Sequence, residues 1–223
     1  MNVYTHYRTI TPSIGFRWRT LLQFGEGWNV IGSVVMKNPG SAYFASEAPL
    51  TDGNILAHLQ SFDDESEPLP WYQFKPDPTM YCIRDLFAAY YQRTRQQGLQ
   101  GVIQLFNLFY IREADLKDAL QKQQSHGAEE LLDYDVRHLV APVYLGFGKL
   151  AEHPVYGQSA QRFFEAALSL GMAGGDIPME QHPFYHPLYL MRHAQNKPVC
   201  VEERERFLAA PWGGLAGEKC GRM

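Results

Sequence analysis

The chain has few cysteines. Cys82, Cys200 and Cys220 are an odd number, widely separated, with no CxxC or CxxH spacing. Neither a disulfide framework nor a zinc or iron–sulfur site follows from such a set, and idle or buried thiols are expected. No run approaches the roughly 20 apolar residues of a membrane-spanning helix, and the polar start MNVYTHYRTITPS lacks the basic-then-apolar pattern of a secretory signal. A cytoplasmic protein with no membrane partner is expected. Basic charge is not in excess either, since 20 Lys and Arg stand against 24 Asp and Glu, a formal net charge of −4. Coating nucleic acid without regard to sequence needs clustered Lys and Arg to neutralise phosphates, so that class is excluded while a local basic face is not. No internal repeat is present. At 223 residues the chain can bury one substantial core, so a single domain over 1–223 and a monomer are expected.

What is present alternates between two periods. FRWRTLLQF and WNVIGSVVM read as two strands joined by a hairpin at Gly-Glu-Gly, the second nearly continuous in apolar residues, as a doubly covered strand should be. Residues 43–76 follow without clear period and read as a long inserted loop. Its acidic run (Asp63, Asp64, Glu65, Glu67) reads as solvated surface, and its aromatics Trp71, Tyr72 and Phe74 mostly as loop packing. Asp77 then caps a helix whose first turn starts with Pro78, and Met80, Ile83, Phe87, Tyr90 and Tyr91 recur on one face, predicting a helix over 78–96 closed by Gly98 and Gly101. Arg84, Arg93 and Arg95 fall on its exposed side. GVIQLFN is a second buried strand ending at Asn107, and LVAPVYLGFGK a third, stopping at Gly-Phe-Gly. Helices are expected in READLKDALQKQ, in GAEELLDYDV, after a Ser159 cap with Gly171 as terminator, and around VEERERFLAA. Strands alternating with covering helices predict an α/β three-layer sandwich with a central, mainly parallel sheet.

In such a sheet ligands sit beyond the carboxyl ends of the strands. The heptapeptide MKNPGSA leaves the first of the three parallel strands, Asn107 ends the next, and Gly146 lies in the turn after the last, so three polar or glycine-rich turns converge on one crevice. Taken singly, Asn38 is a turn residue, Asn107 a strand end and Asp77 a helix cap. Their order and common sheet end give them weight.

The set NPGSA, DPT, NLF, LGFG and HPLYL, in that order, resembles a bacterial domain-of-unknown-function family over most of the chain, from FRWRTLLQF to HPLYL. More distantly, the chain resembles the uracil-DNA glycosylase superfamily. Asn38, Pro39 and Gly40 look like its first motif, Asn107 like the asparagine that ends a middle strand, and His186 with Pro187 like the late His-Pro motif before a wedge loop. Leu188 stands where that family usually has serine.

The resemblance implies a fold of that type and a DNA glycosylase that flips a damaged or modified pyrimidine out of DNA. Hydrolysis of the N-glycosidic bond would then need no metal and no cofactor. Asn38 orients the attacking water by position, since an amide is too weak a base to deprotonate it. Asp77 is the alternative source of charge there. His186 donates a hydrogen bond to a base oxygen as negative charge gathers, with His182 as its competitor; His186 is preferred because LYLMR follows it. Asn107 reads the base edge, and the backbone around Gly40 and Gly146 approaches the base. Tyr43 or Phe44 closes on the pyrimidine 5-position. Leu188 and Leu190 supply the wedge, while Arg192 and Lys197, with His193, contact phosphates. The 43–76 insertion implies a pocket enlarged for a hypermodified base such as a glucosylated phage cytosine, hence an antiviral defence role. Two rivals stay open: a hydrolase of free nucleotides or nucleosides, and a noncatalytic nucleic-acid-binding module.

Overall fold

FRWRTLLQF forms β2 (Ile14–Phe24), in which every residue from Gly15 to Phe24 is buried although Arg17, Arg19, Thr20 and Gln23 are polar. A strand so completely covered belongs in the middle of a sheet. In the computed structural model, which describes all residues except 12–13, 41, 64–68, 114, 127–130, 173–176, 211 and 213–223, it has neighbours on both sides. One is β1 (Asn2–Thr11), antiparallel to it and paired in turn with β4 (Trp71–Phe74). The polar N-terminus gave no strand signal. The polar side chains are nevertheless satisfied inside the sheet, Thr5 by the Trp18 carbonyl at 2.9 Å and by Thr20 at 3.0 Å.

The other neighbour corrects the hairpin expected at Gly-Glu-Gly. β3 (Val30–Met36) does not pair with β2; β5 (Gly101–Asn107) lies between them, antiparallel to β2 and parallel to β3. The connection must therefore step over one strand, about 10 Å in all. It straddles the start of β5, where the Val102 N–H donates to the Asn29 carbonyl at 2.9 Å. Gly101, at φ +124, has no room for a side chain, since a Cβ there would meet that carbonyl oxygen at 2.6 Å. β7 (Val143–Leu145) extends the parallel side, and β6 (Ile111–Arg112) adds a short antiparallel piece against β2. The order is β4-β1-β2-β5-β3-β7. The sheet is thus mixed, with antiparallel pairs outnumbering parallel ones, and the mainly parallel expectation holds only for its β5-β3-β7 half.

Helices cover both faces of that half. Neighbouring residues of a strand point to opposite faces. In β5, Leu105 meets a cavity walled by Met80 and Ile83 of α2 (Pro78–Arg95), whereas Phe106 points the other way to Phe163 of α5 (Gly157–Ser169), ring centroids 6.4 Å apart. With α2 lie α6 (Pro187–His193) and α7 (Pro198–Ala209), Phe207 packing on Phe87 and on Tyr144 of β7. α3 (Leu116–His126) and α4 (Leu131–Arg137) fall in the stretches expected to be helical. The predicted α2 is present with its Asp77 cap, the carboxylate accepting from the Met80 N–H at 2.9 Å. It ends at Gln96, which itself takes the left-handed conformation (φ 53), so Gly98 is not its terminator. Ser159 lies inside α5 rather than capping it; Tyr156 precedes the helix and makes no side-chain cap.

Residues 43–76 are more than a loop. They contain α1 (Gly53–Leu59) and β4, and they pack a second apolar cluster of Leu59, Phe62 and Trp71 against Tyr4, Leu21 and Val102. Asp63, expected in solvent, accepts from Trp71 Nε1 at 3.1 Å and lies 3.0 Å from Nε2 of the fully buried His6. Asp64, Glu65 and Glu67 fall outside the described residues, as does Cys220. Among the described residues no helix is long and apolar enough to cross a membrane.

Candidate active site

At the carboxyl ends of β3 and β5, where Met36 and Asn107 stand in register, the chain opens a cavity of about 390 Å³. Beyond these ends the two segments continue side by side, Leu108 N–H donating to the Met36 carbonyl at 3.0 Å and Phe109 N–H to the Lys37 carbonyl at 3.3 Å. This holds the Asn-Pro-Gly turn against the sheet. Asn38, Gly40, Asp77, Asn107, His186 and Leu188, from four separated stretches, all line the cavity, as do Arg17 and Lys37.

Asn38 and Asp77 are each held by a hydrogen bond. Asn38 donates from Nδ2 to the Glu113 carbonyl at 2.7 Å, which leaves Oδ1 as an acceptor. Asp77 uses Oδ1 for its helix cap, while Oδ2 faces the turn, 3.9 Å from where a Gly40 Cβ would stand. That distance is ordinary contact, so glycine is demanded at position 40 by its φ of +69 rather than by space. Asn107 is only 3 % exposed and lines the cavity, and its carboxamide has no hydrogen-bond partner among the described residues. Its oxygen and nitrogen are not sealed from solvent, so the amide opens onto the cavity, where water or a ligand can pair it.

His186 caps α6, accepting at Nδ1 from the Leu188 N–H at 3.3 Å. An accepting Nδ1 leaves the proton of the neutral ring on Nε2. Burial, with Lys37 beside it, pushes its pKa down to about 4 against the pull of Asp77, so at neutral pH the ring is an uncharged donor. The cavity also carries positive charge. Arg17 is buried and drawn down to about 10 chiefly by burial, with Asp77 opposing, and so remains a cation. Its guanidinium donates to the carbonyls of Pro39 and Ala42, tying the turn to β2, and Arg112 Nε donates to the same Ala42 carbonyl at 2.8 Å. Burial also lowers the pKa of the half-buried Lys37 amine.

Other expected site residues lie elsewhere. Tyr43 is 53 % exposed beneath the Arg112 guanidinium, and Phe44 packs on Tyr7 and Phe74, so neither closes the cavity; the chain turns outward after Pro39 and pairs Phe44 with Phe74 at the β4 edge. Gly146 is buried behind the wall, where a Cβ would come within 2.9 Å of Pro187 Cδ; its role is to let α6 approach β7. Leu190 is fully buried in the core, because the expected wedge is a helix and only one side of it faces out. Leu188 on the cavity rim and the exposed Tyr189 occupy that side. Arg192 is exposed on α6, and Lys197 donates to the Tyr189 hydroxyl at 3.0 Å at the start of α7. His182 is buried against Phe164 and Phe184, away from the cavity. Arg17 and Lys37 were not singled out from the sequence. An arginine inside the apolar run FRWRTLLQF and a lysine directly before Asn-Pro-Gly are the signals that mark them.

Comparison of the chain with protein-family models, curated proteins and solved structures finds no match.

Proposed function

We propose that the chain is a DNA glycosylase that extrudes a modified pyrimidine into this cavity and hydrolyses its bond to deoxyribose. The observation that carries the reading is Asn107, whose carboxamide opens, without a protein partner among the described residues, onto a cavity that Asn38, Asp77 and His186 also line. An amide offers a donor and an acceptor side by side, the pattern a base edge presents. The Nε2–H of His186 then meets the base oxygen on which negative charge builds, and a neutral donor fixed by its own cap bond needs no reorganisation to do so. Water sits between Asn38 Oδ1 and the Asp77 carboxylate, on the side of the sugar. Leu188 and Tyr189 fill the gap left in the stack, and Arg192 and Lys197 touch the flanking phosphates.

A volume of about 390 Å³ falls among small-molecule sites of roughly 300–1,000 Å³. With Tyr43 and Phe44 turned away, no aromatic from the first motif fences the 5-position, which supports a bulky or glucosylated cytosine, and with it a role against phages that carry such bases. That room comes from the turn itself: among the described residues none of 43–76 lines the cavity.

The test is base release from duplex and single-stranded DNA carrying uracil, 5-hydroxymethylcytosine or its glucosylated form, scored by alkali cleavage at the abasic site. Release from at least one is expected, reduced ~10²–10³-fold in Asn107→Ala and in Asn38→Ala. Release from free nucleotides alone would move the chemistry to a nucleotide hydrolase. Folded protein that frees no base from any of these would end the enzymatic reading.

A further inference from the structure

Lys37 lines the same cavity as Asp77 and His186 and has no task in base release as derived above. Among the described residues its amine forms no ion pair or hydrogen bond, and no carboxylate holds it as an ammonium. The amine is placed by the LGFG turn that follows β7. At Gly148, φ +56, a Cβ would stand 3.3 Å from Lys37 Cε and 3.6 Å from Nζ, and the turn is itself fixed by the Gly148 N–H donating to the Phe184 carbonyl at 2.8 Å. The glycine thus leaves the end of the lysine a seat at the cavity wall. A half-buried amine with no carboxylate partner keeps more of its neutral, nucleophilic form than a surface lysine does.

Resting on the base-excision reading, we propose that Lys37 makes the protein an abasic-site lyase, its amine attacking the sugar that base release leaves behind. The Nζ lone pair adds to the C1′ aldehyde carbon of the ring-opened sugar, giving a carbinolamine. Uptake of a proton from water and loss of the hydroxyl as water give a protonated imine. The Asp77 carboxylate takes the C2′ proton, the C2′–H electron pair forms the C2′–C3′ double bond, and the 3′ phosphate leaves with the C3′–O pair, cutting the strand. Water then hydrolyses the imine, returning the free amine and an unsaturated aldehyde. No oxidant or reductant enters.

The test uses the full chain and DNA whose abasic site has been made beforehand by a separate uracil glycosylase, with sodium borohydride present. Reduction of the imine to a secondary amine should give a protein–DNA adduct that peptide mass spectrometry places on Lys37. Lys37→Arg keeps the charge but not a nucleophile at neutral pH, and should lower adduct formation about 100-fold or more. Lys149→Arg, on the exposed side of the same turn, should keep it. No adduct with the unmutated protein, an adduct on another lysine, or undiminished trapping in Lys37→Arg would each overturn the lyase. Mapping the adduct on the unmutated chain keeps the test valid even where Lys37→Arg folds poorly. Because the base is already gone, the two readings separate: base release without an adduct removes only the lyase, and a Lys37 adduct without base release removes only the glycosylase.

Discussion

Two leucines of the HPLYL segment illustrate how much one helical turn decides. Leu188 is at the cavity rim, and Leu190 is fully buried. Leu190→Ala should therefore cost about 2–5 kcal/mol of stability, read from denaturant unfolding, and slow base release equally on paired and single-stranded DNA. Leu188→Ala should leave stability nearly unchanged and slow release from the duplex more than from single strands, since a wedge offsets the few kcal/mol needed to unpair and unstack a base. Equal slowing on both substrates would remove the wedge role from Leu188. At this scale the sequence was legible where a polar residue interrupts a pattern. Asn38, Asp77, Asn107 and His186 each stand where a strand or helix begins or ends, and all four meet in the cavity. Arg17 was not legible, because within β2 nothing in the one-dimensional pattern distinguishes an arginine reaching inward to carbonyls from one reaching out to water. Tyr43 and Phe44 show the opposite limit: they are close to Asn38 in sequence but do not line the cavity, because the chain leaves it after Gly40 and pairs Phe44 with Phe74.

β2 acts on the site through Arg17, which bonds the Asn-Pro-Gly turn. A strand is rigid and a turn is not, so anchoring the second to the first sets where Asn38 stands. Arg17→Met removes two charge-assisted hydrogen bonds and leaves the Pro39 carbonyl without its donor, while relieving the cost of a buried charge; the net loss expected is about 2 kcal/mol. Base release should fall more than stability predicts, with kcat reduced and KM little changed, because water placement rather than binding suffers. A rise in KM alone would assign Arg17 to substrate contact instead. Elements were legible where the period was sustained, as in α2, and failed where partner choice mattered. Nothing in GEGWN tells a hairpin from a connection that leaves a slot for β5, since both need a polar, glycine-bearing turn between two apolar runs. β1 was missed because its polar residues are buried and paired across the sheet, which overrides local propensity.

For the molecule as a whole, the partly buried His186 and the buried Asp135 give acid stability opposite slopes. The unfolded chain protonates His186 near 6.5 and the native one only near 4, so between those values the unfolded state holds more protons and stability rises with pH. Asp135 does the reverse. Burial raises it from 3.8 to about 7 although the Tyr110 hydroxyl donates to it and Arg19 lies near, so between those values the native state holds the extra proton and stability falls as pH rises. From pH 4 to 6.5 the two nearly cancel, and the unmutated protein should show little slope from them. His186→Asn, which keeps a helix cap, should lose stability with rising pH, and Asp135→Asn should gain it, each by up to about 1.4 kcal/mol per pH unit. Urea midpoints at half-unit steps measure this, and slopes of the same sign in the two variants would refute the assignment.

The slot between β2 and β3 also has a consequence during synthesis. The ribosome delivers both strands, and all of α2, before the first residue of β5 exists. Until residues 101–107 emerge, β2 and β3 each keep a row of N–H and C=O groups facing a gap that only the later strand fills. Such open edges pair readily with other chains. A ribosome stalled in that interval, or a message truncated there, would yield not a smaller folded protein but a fragment with two adhesive sides.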